Sequence, residues 1–447
     1  MQVLDKKSRL RKTIINFAWP IILTNLFSTL MLTVNMIMVG RLGPAAVAGV
    51  GLGSQVVMIS FAVMMAISAG TIALVARYTG AKEPEMANRT LKQSLLLGII
   101  LSIPLTIIGW FMGAQFLALF GSEPDVLELG SIYVKFTFIG TTFQFIEFLS
   151  AAALRGSGDM KTPLMVGILN NVVNILVGYV LIFGYLGFPA MGVKGAAIGN
   201  VISFMIGAVA YLYILLHGRH KLKLRRNHVF FDGSIMRKIM KIGTPAATEQ
   251  VLIQTGFLVY TFIIVYFGTV ELAAHQIGMR IQSLAFMPGM GFSMAATALV
   301  GQYLGAKKPR TAEKSAIESA KLSAIVMSVV GIVLFLLATP IAKLFISDPD
   351  TIKYTTLWIR MLAFSMPAVG IFFTLAGGLR GAGDTRWPLY ASTFGIYAIR
   401  LPIAAFMGIY LGWGIFGAWL AFVLEYYARS VIILWRFKSG AWKTIKV

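Results

Sequence analysis

The amino-acid sequence predicts an all-α polytopic membrane protein with twelve transmembrane helices in two parallel six-helix lobes. Three observations lead to this fold: the composition, a series of long apolar segments and an internal repeat. Apolar residues make up 57% of the 447 residues and charged residues only 13%. A soluble domain carries roughly 25% charged residues. With a mean hydropathy of +0.80, the chain is expected to fold with the bilayer as its solvent.

Twelve apolar segments are long enough to cross the membrane, since a spanning helix needs roughly 20 such residues. In the first half they lie near 14–40, 46–76, 94–113, 130–153, 163–185 and 195–216. In the second half they lie near 243–267, 271–301, 319–338, 356–378, 388–411 and 415–435. The first segment follows a basic start, as in a signal peptide, but it is too long for one, and we expect it to be retained.

The internal repeat is clearest in a turn rich in glycine and aspartate. Leu154-Arg155-Gly156-Ser157-Gly158-Asp159 returns in the second half of the chain as Leu379-Arg380-Gly381-Ala382-Gly383-Asp384. The same offset, here called the repeat shift, aligns Gly80-Ala81-Lys82 with Gly305-Ala306-Lys307. One register held through separate segments indicates two copies of one unit. The repeat predicts three regions: an N-lobe at 1–216, a cytoplasmic basic linker at 217–242 and a C-lobe at 243–447.

Two halves with six spans each have the same orientation, because an even number of crossings returns the chain to its starting side. The lobes are therefore expected to be related by a pseudo-two-fold axis along the membrane normal, which suits alternating access between them. Of the 39 Lys and Arg residues, 30 lie in the N-terminus, the even-numbered loops and the C-terminal tail. This asymmetry predicts that both termini and the linker are cytoplasmic.

The net charge of +22 has two readings, a nucleic-acid site or basic loops beside anionic membrane lipid. Its distribution over the cytoplasmic loops favours the lipid, and we expect no nucleic-acid partner. The sequence has no phosphate-binding loop and neither His-Glu-x-x-His nor Gly-x-Ser-x-Gly, so an ATP-driven motor and a hydrolase are both disfavoured. We predict a protein that is not an enzyme and has no cofactor. Without cysteine, it has no thiolate metal site.

Polar side chains within the spans are the candidate functional residues, because an unpaired polar group is costly in hydrocarbon. Asn35, Asn174 and Asn200 fall in three spans of the first half, and we predict that they form one polar cluster. Asn35 lies in the outer half of the membrane, fifteen residues after Pro20. Pro20 removes a backbone hydrogen bond and either bends the first helix or is merely structural.

Three acids within the spans are secondary candidates, each with a structural alternative. Glu147 is either an ion site or part of a structural pair. Glu249 follows Pro245 by four residues, where the first turn of a helix would favour a carboxylate. Glu425 has Arg429 one turn later, and an i,i+4 ion pair could account for both.

Two basic residues complete the secondary candidates. Arg400 lies in the middle of span 11, where a guanidinium needs a carboxylate or carbonyl partner that the sequence does not identify. His275 opens span 8 without metal-ligand spacing around it. A packing role for His275 is favoured over that of a proton carrier.

Five motifs together resemble the multidrug and toxic compound extrusion (MATE) transporters, in particular their DinF-like branch. They are Val39-Gly40-Arg41-Leu42-Gly43, Gly80-Ala81-Lys82, Leu154-Arg155-Gly156-Ser157-Gly158-Asp159, Ala274-His275-Gln276 and Val300-Gly301-Gln302-Tyr303-Leu304-Gly305-Ala306. The resemblance covers essentially the whole chain. It implies a secondary antiporter that exports organic cations or amphipathic drugs in exchange for H⁺ or Na⁺. We expect a monomer in a prokaryotic plasma (inner) membrane.

The sequence departs from the family pattern at two carboxylates. The family usually has Asp at the position of Asn35, and it often has Asn-x-x-x-Asp where Asn174 is followed by Gly178. A hydroxyl position of the family falls on Asn200. The resemblance implies that these four positions form the ion-coupling and substrate pocket, with a Na⁺ site near Asn35. Asn35 is either a natural variant or an engineered neutral mimic of a protonated Asp.

Asn cannot titrate, and the sequence places no other acid in this first-half pocket, so we expect impaired ion coupling through Asn35. Otherwise the coupling acid lies elsewhere, and the candidates in order are Glu249, Glu147 and Glu425.

Two other functions remain open. A flippase for lipid-linked saccharides, from the same superfamily, would need a strongly cationic cavity, and the mid-span basic residues are few: Arg280 and Arg400. A non-transporting receptor or scaffold is the third reading. The parallel duplication and the polar first bundle argue against it.

Overall fold

The computed structural model describes residues 2–118, 123–217, 222–224 and 231–445, and the regular structure in these ranges is helical. Much of the predicted linker, at 218–221 and 225–230, lies outside the described residues. The helices α1 to α16 are Gln2–Gly40, Pro44–Gly80, Pro84–Ala118, Pro124–Ile139, Thr141–Ser157, Lys161–Phe183, Gly192–His217, Gly233–Val265, Thr269–Ala285, Met287–Gly305, Pro309–Leu336, Ala338–Phe345, Pro349–Gly381, Arg386–Thr393, Leu401–Ala405 and Gly414–Ser439. Two π-helical segments, Phe394–Arg400 and Phe406–Tyr410, flank α15, and a 3₁₀ turn follows α16 at Ala441–Thr444.

The structure confirms the predicted all-α membrane fold. Among the described residues, eleven helical segments are long and apolar enough to cross a membrane, and α4 with α5 makes a twelfth if the pair is one span. These two helices meet at an angle of 54°, at Gly140. The sequence predicted one span there, near 130–153, and did not indicate the bend, because a bend between two apolar helices leaves no charge or proline in the pattern. This chain is an integral membrane protein.

The two halves repeat their backbone conformation as well as their sequence. Gly158 and Gly383, which the repeat shift aligns, end their helical stretches with φ of 92° and 87°, the left-handed region that glycine adopts without strain. Lys82 and Lys307 have φ of 61° and 58°, which is uncommon for a residue with a side chain. Unusual backbone angles shared at aligned positions indicate that the duplicated sequence forms a duplicated structure.

The chain packs into two compact units. Leu23–Thr244 forms one, the N-unit, and Met1–Ile22 together with Pro245–Val447 forms the other, the C-unit. The chain passes between them inside α1 and inside α8, next to the repeat-related Pro20 and Pro245. The lobes predicted at 1–216 and 243–447 are defined by the two halves of the sequence repeat and not by these compact units. This division of the chain stays a prediction.

The first part of α8 packs against α2 within the N-unit. Gly70 lies against the backbone of Ile239, and Gly243 lies against the backbone of Ala66. A Cβ atom added at Gly243 would overlap the carbonyl oxygen of Ala66. Glycine at these positions therefore allows two helix backbones to approach closely, as is common between membrane helices.

The first part of α1 makes the repeat-related contact within the C-unit. Ala18 lies against Gly291 of α10, and Ile14 is buried in a cluster with Ala295 and Leu299. The repeat shift relates the Ala18–Gly291 pair to Gly243–Ala66. Each pair contains one glycine. In the N-unit it lies on α8, the repeat of α1, and in the C-unit it lies on α10, the repeat of α2. Both units therefore keep the close packing, although the glycine lies on a different helix of the pair.

Replacing Gly243 with alanine tests this close packing. We expect Gly243→Ala to destabilise the protein by about 1–3 kcal/mol, the usual cost of forcing an extra methyl group into a packed interface. Thermal unfolding of the purified protein in detergent is the measurement. The matched control is Gly51→Ala in α2, where an added Cβ meets no atom within 4 Å. The control should raise stability by about 0.5–1 kcal/mol through helix propensity. Equal melting temperatures for the two variants would contradict the described contact.

Candidate ion-coupling and substrate site

Asparagine side chains from three helices form one hydrogen-bonded chain in the N-unit. Asn35 of α1 donates from Nδ2 to Oδ1 of Asn174 of α6 at 2.8 Å. Asn174 donates from Nδ2 to Oδ1 of Asn200 of α7 at 2.7 Å, and to Oγ of Ser203 at 3.3 Å. Asn200 in turn donates to the hydroxyl of Tyr133 on α4 at 3.3 Å. The structure thus brings together the three asparagines that the sequence placed in separate spans.

Asn174 is the centre of this chain. Its side chain is 2% exposed and uses both its acceptor and its donor side, so its orientation is fixed by neighbours on two helices. An amide offers an oxygen acceptor and two N–H donors, and carbonyl and hydroxyl oxygens are suitable ligands for hard cations. This hydrogen-bonded chain of side chains can therefore bind polar or cationic ligands, but it contains no carboxylate.

Gly178 lies one turn after Asn174 on the same helix and is buried. It supplies no functional group, and its contribution is to packing. An added Cβ at Gly199 of α7 would lie 3.0 Å from Cα of Gly178, so α6 and α7 approach closely at this level. A Cβ at Gly178 itself would meet only Cε of Met38, at 3.6 Å. There is therefore room for a side chain at position 178, where this sequence has glycine.

Sequence reasoning missed two members of the chain, Tyr133 and Ser203. Ser203 follows Asn200 by three residues, and i,i+3 spacing on one helical face could have indicated it. Its hydroxyl donates to the backbone oxygen of Asn200 at 2.8 Å. Tyr133 lies on α4, before the bend at Gly140. No sequence signal distinguishes it from the many aromatic residues that face lipid.

Glu147 lies on α5 and is hydrogen-bonded to α6. Nδ2 of Asn170 donates to Oε1 of Glu147 at 2.8 Å, while Oε2 is buried with no hydrogen-bond partner among the described residues. Asn170 precedes Asn174 by one helical turn, so both project from the same face of α6. The sequence predicted no further acid in the first-half pocket, and the structure places the carboxyl group of Glu147 against Asn170, one turn before Asn174. Periodicity did not indicate this contact, because packing sets the register between α5 and α6.

Glu249 is held by an ion pair within the C-unit. Nη2 of Arg380 lies 2.8 and 2.7 Å from its two carboxylate oxygens, and Oγ of Ser392 donates to Oε1 at 2.7 Å. The interpretation of Glu249 as a first-turn carboxylate was wrong, because α8 begins at Gly233, sixteen residues earlier. The partner that stabilises the charge is Arg380 of the repeated turn, 131 residues along the chain.

Arg400 and Glu425 form a second buried ion pair in the C-unit. Nε of Arg400 donates to Oε2 of Glu425 at 2.5 Å, and Nη2 of Arg429 pairs with Oε1. Arg400 and Glu425 are 0% exposed. The guanidinium of Arg400 also lies over the rings of Phe257 and Phe422, at 4.9 and 4.8 Å from their centroids. The i,i+4 partner expected for Glu425 is present, and the partner that Arg400 needs is the same carboxylate.

His275 is an aromatic packing residue in the structure. It is 2% exposed, and its ring lies 5.5 Å from that of Tyr260 and 5.3 Å from that of Trp358. Nδ1 of His275 is buried with no hydrogen-bond partner among the described residues, and the hydrogen-bonded packing role favoured from the sequence stays a prediction. Pro20 lies inside α1, which continues through it to Gly40. It is two residues from the point where the chain passes from the C-unit to the N-unit.

Known proteins resemble this chain over nearly its full length. A probable multidrug resistance protein NorM of Thermotoga maritima is 31% identical over 439 residues, which cover 98% of this chain and 94% of the relative. A probable NorM of Rhodopseudomonas palustris is 29% identical over 430 residues, covering 94% and 90%. The crystal structure of an Asp-to-Asn mutant of the Vibrio cholerae MATE transporter VcmN matches with a TM-score of 0.90 at 20% identity, covering 97% of each chain.

The family model named MatE matches residues 20–180 and 245–406. Each match begins at one of the repeat-related prolines, Pro20 and Pro245, so the family unit occurs once in each half of the chain. The match includes α1 and α6, which carry Asn35 and Asn174. Because both halves match and a relative is 31% identical over 98% of this sequence, this chain belongs to the MatE family, the MATE transporters.

Proposed function

We propose that this chain is a secondary active antiporter that exports organic cations or amphipathic drugs in exchange for H⁺ or Na⁺. Transport proceeds by alternating access, with the hydrogen-bonded chain of Asn35, Asn174 and Asn200 as the core of the ion and substrate site. The observation that carries the proposal is the hydrogen-bonded chain of side chains. Four helices of one unit contribute polar groups to it at membrane depth, where such groups are costly and mark transport pathways.

The relatives support the class of substrate. The Thermotoga maritima and Rhodopseudomonas palustris proteins are named as probable multidrug resistance proteins, and the first covers nearly all of this chain. The pocket proposed here is polar but carries no carboxylate among Asn35, Asn174, Gly178 and Asn200. It would therefore hold a cationic substrate through amide and hydroxyl oxygens and through apolar contacts.

A lipid-linked saccharide flippase is the second candidate from the sequence, and the structure weakens its basis. Such a protein needs free cationic groups for a pyrophosphate. Arg400 is fully buried and paired with Glu425, so it is not accessible to a ligand. Arg280 is exposed, and one guanidinium does not form a strongly cationic cavity. The antiporter remains the better supported function.

Efflux measurements on variants of Asn35 test the proposed site. We expect Asn35→Asp to increase gradient-driven ethidium transport in everted vesicles several-fold and to make it more dependent on pH, because Asp can exchange a proton and Asn cannot. Asn174→Ala in that background should weaken the gain, since it removes the central amide. An Asn35→Asp variant with an unchanged rate and pH profile would contradict a coupling role for this position.

We further propose that both termini lie in the cytoplasm of a prokaryotic cell and that the protein resides in its inner membrane. The cysteine-free sequence allows a direct test with Ser234→Cys and Ser347→Cys, two conservative changes at exposed positions. Ser234→Cys should react with an impermeant maleimide only from the cytoplasmic side, and Ser347→Cys only from outside. Labelling of both from the same side would contradict this topology.

A further inference from the structure

The structure separates one of the three candidate acids from the other two. Glu249 is paired with Arg380, and Glu425 is paired with Arg400 and Arg429. In both cases a guanidinium neutralises the carboxylate permanently, because Arg does not lose its proton in proteins. Glu147 has no ion-pair partner among the described residues. Its hydrogen-bond donor is the neutral amide of Asn170.

The carboxyl group of Glu147 packs against α7. An added Cβ at Gly207 of α7 would lie 2.8 Å from both Cδ and Oε2 of Glu147, so the glycine provides the space that the carboxyl group occupies. Oε2 is buried and has no hydrogen-bond partner within the described chain, and neither has Oδ1 of Asn170. A buried carboxylate oxygen and a buried amide oxygen, both without donors and on two side chains that are hydrogen-bonded to each other, are groups that a bound proton or Na⁺ would satisfy.

The charged and ionisable neighbours of Glu147 do not replace such a cation. They are Arg155 on the same helix and Tyr211 on α7. Arg155 follows Glu147 by eight residues, about 12 Å along the helix axis, and makes no ion pair with it. The other helices packed on α5 are α2, α3, α4 and α6. Within the described residues they contribute no ionisable partner to Glu147.

Glu147 is also close to the polar chain of the proposed pocket. Its partner Asn170 precedes Asn174 by four residues on α6, a rise of about 6 Å. Asn174 connects to Asn35 and Asn200. The asparagine chain and the unpaired carboxyl group of Glu147 are therefore bound by asparagines one turn apart on the same face of α6.

We propose that Glu147, with Asn170, supplies the titratable group of the proposed ion and substrate site and takes one H⁺ or one Na⁺ per transport cycle. The inference deepens the proposed antiport and rests on it. The carboxylate binds the cation and becomes neutral, and release on the other side of the membrane restores the negative charge. No other bond is made or broken. This assignment moves Glu147 ahead of Glu249, the first alternative from the sequence, because Arg380 already neutralises Glu249.

Glu147→Gln is the direct test, since glutamine keeps the shape and the hydrogen bond from Asn170 but cannot titrate. Purified protein in liposomes is assayed for ethidium uptake driven by a pH gradient without Na⁺, and separately by a Na⁺ gradient at equal pH. The gradient that drives the wild-type protein identifies the ion. We expect Glu147→Gln to lose ethidium accumulation beyond equilibrium under the imposed ion gradient, while it still equilibrates ethidium down its own gradient. The control Glu128→Gln, an exposed acid of the same unit, should retain wild-type uptake.

A second measurement does not depend on transport. Infrared difference spectra of the wild-type protein should show a carboxyl band that changes with pH or Na⁺, and Glu147→Gln should lack this change. Gly207→Ala, which crowds Oε2 but keeps the acid, should shift the pH or Na⁺ dependence of the band. A wild-type protein that moves no ethidium under either gradient, with the band change still lost in Glu147→Gln, would overturn the antiport and leave the cation site standing. Wild-type uptake in Glu147→Gln, or a band change that survives it, would overturn the assignment of Glu147.

Discussion

The hydrocarbon of the bilayer offers no hydrogen bonds, and every polar side chain at membrane depth depends on partners inside the protein. This constraint determines where the polar residues of the chain are found. In the C-unit, Arg400 and Glu425 are both fully buried and satisfy each other. In the N-unit, Asn174 satisfies Asn35 and Asn200 without any net charge. Pairing of opposite charges and chaining of neutral amides are two solutions to one energetic problem.

The two solutions occupy related positions of the repeat. Asn35, Asn174 and Asn200 lie on the first, fifth and sixth spans of the first half. The corresponding spans of the second half carry Tyr260, Arg400 and Glu425, and the repeat shift aligns Tyr260 with Asn35. Arg400 lies 5.3 Å from the centroid of the Tyr260 ring. The corresponding spans of the two halves thus each carry a polar centre, and the chemistry of the two centres differs.

This divergence separates a permanent charge cluster from a site that can change its charge. Two guanidiniums surround Glu425, and breaking a buried pair of this kind leaves an uncompensated charge at high cost. The C-unit cluster is therefore suited to holding α16 against the π-helical segment that contains Arg400. Glu147 has no such partner among the described residues, and we propose that a mobile cation neutralises it. On this proposal, ion coupling takes place in the N-unit.

Much of the fold could be predicted from the sequence, because hydropathy, charge asymmetry and the repeat are local or periodic signals. They gave the helical spans, and the polar residues within them included the three asparagines that meet in the structure. The contacts of Glu147 and Glu249 could not be predicted in the same way. Glu249 depends on Arg380, 131 residues away, and on a helix that begins earlier than the apolar pattern suggests. Glu147 depends on the register of α5 after a bend of 54°.

In the proposed antiport, movement of substrate and movement of an ion are obligatorily linked. The most direct measurement is the reverse reaction: purified protein in liposomes receives a substrate gradient alone, and the internal pH and the Na⁺ content are recorded. Coupling between substrate and ion movement is reciprocal. We therefore expect that ethidium flowing down its gradient drives H⁺ or Na⁺ in the opposite direction when no ion gradient is imposed. Ethidium flux without any accompanying movement of either ion would contradict it.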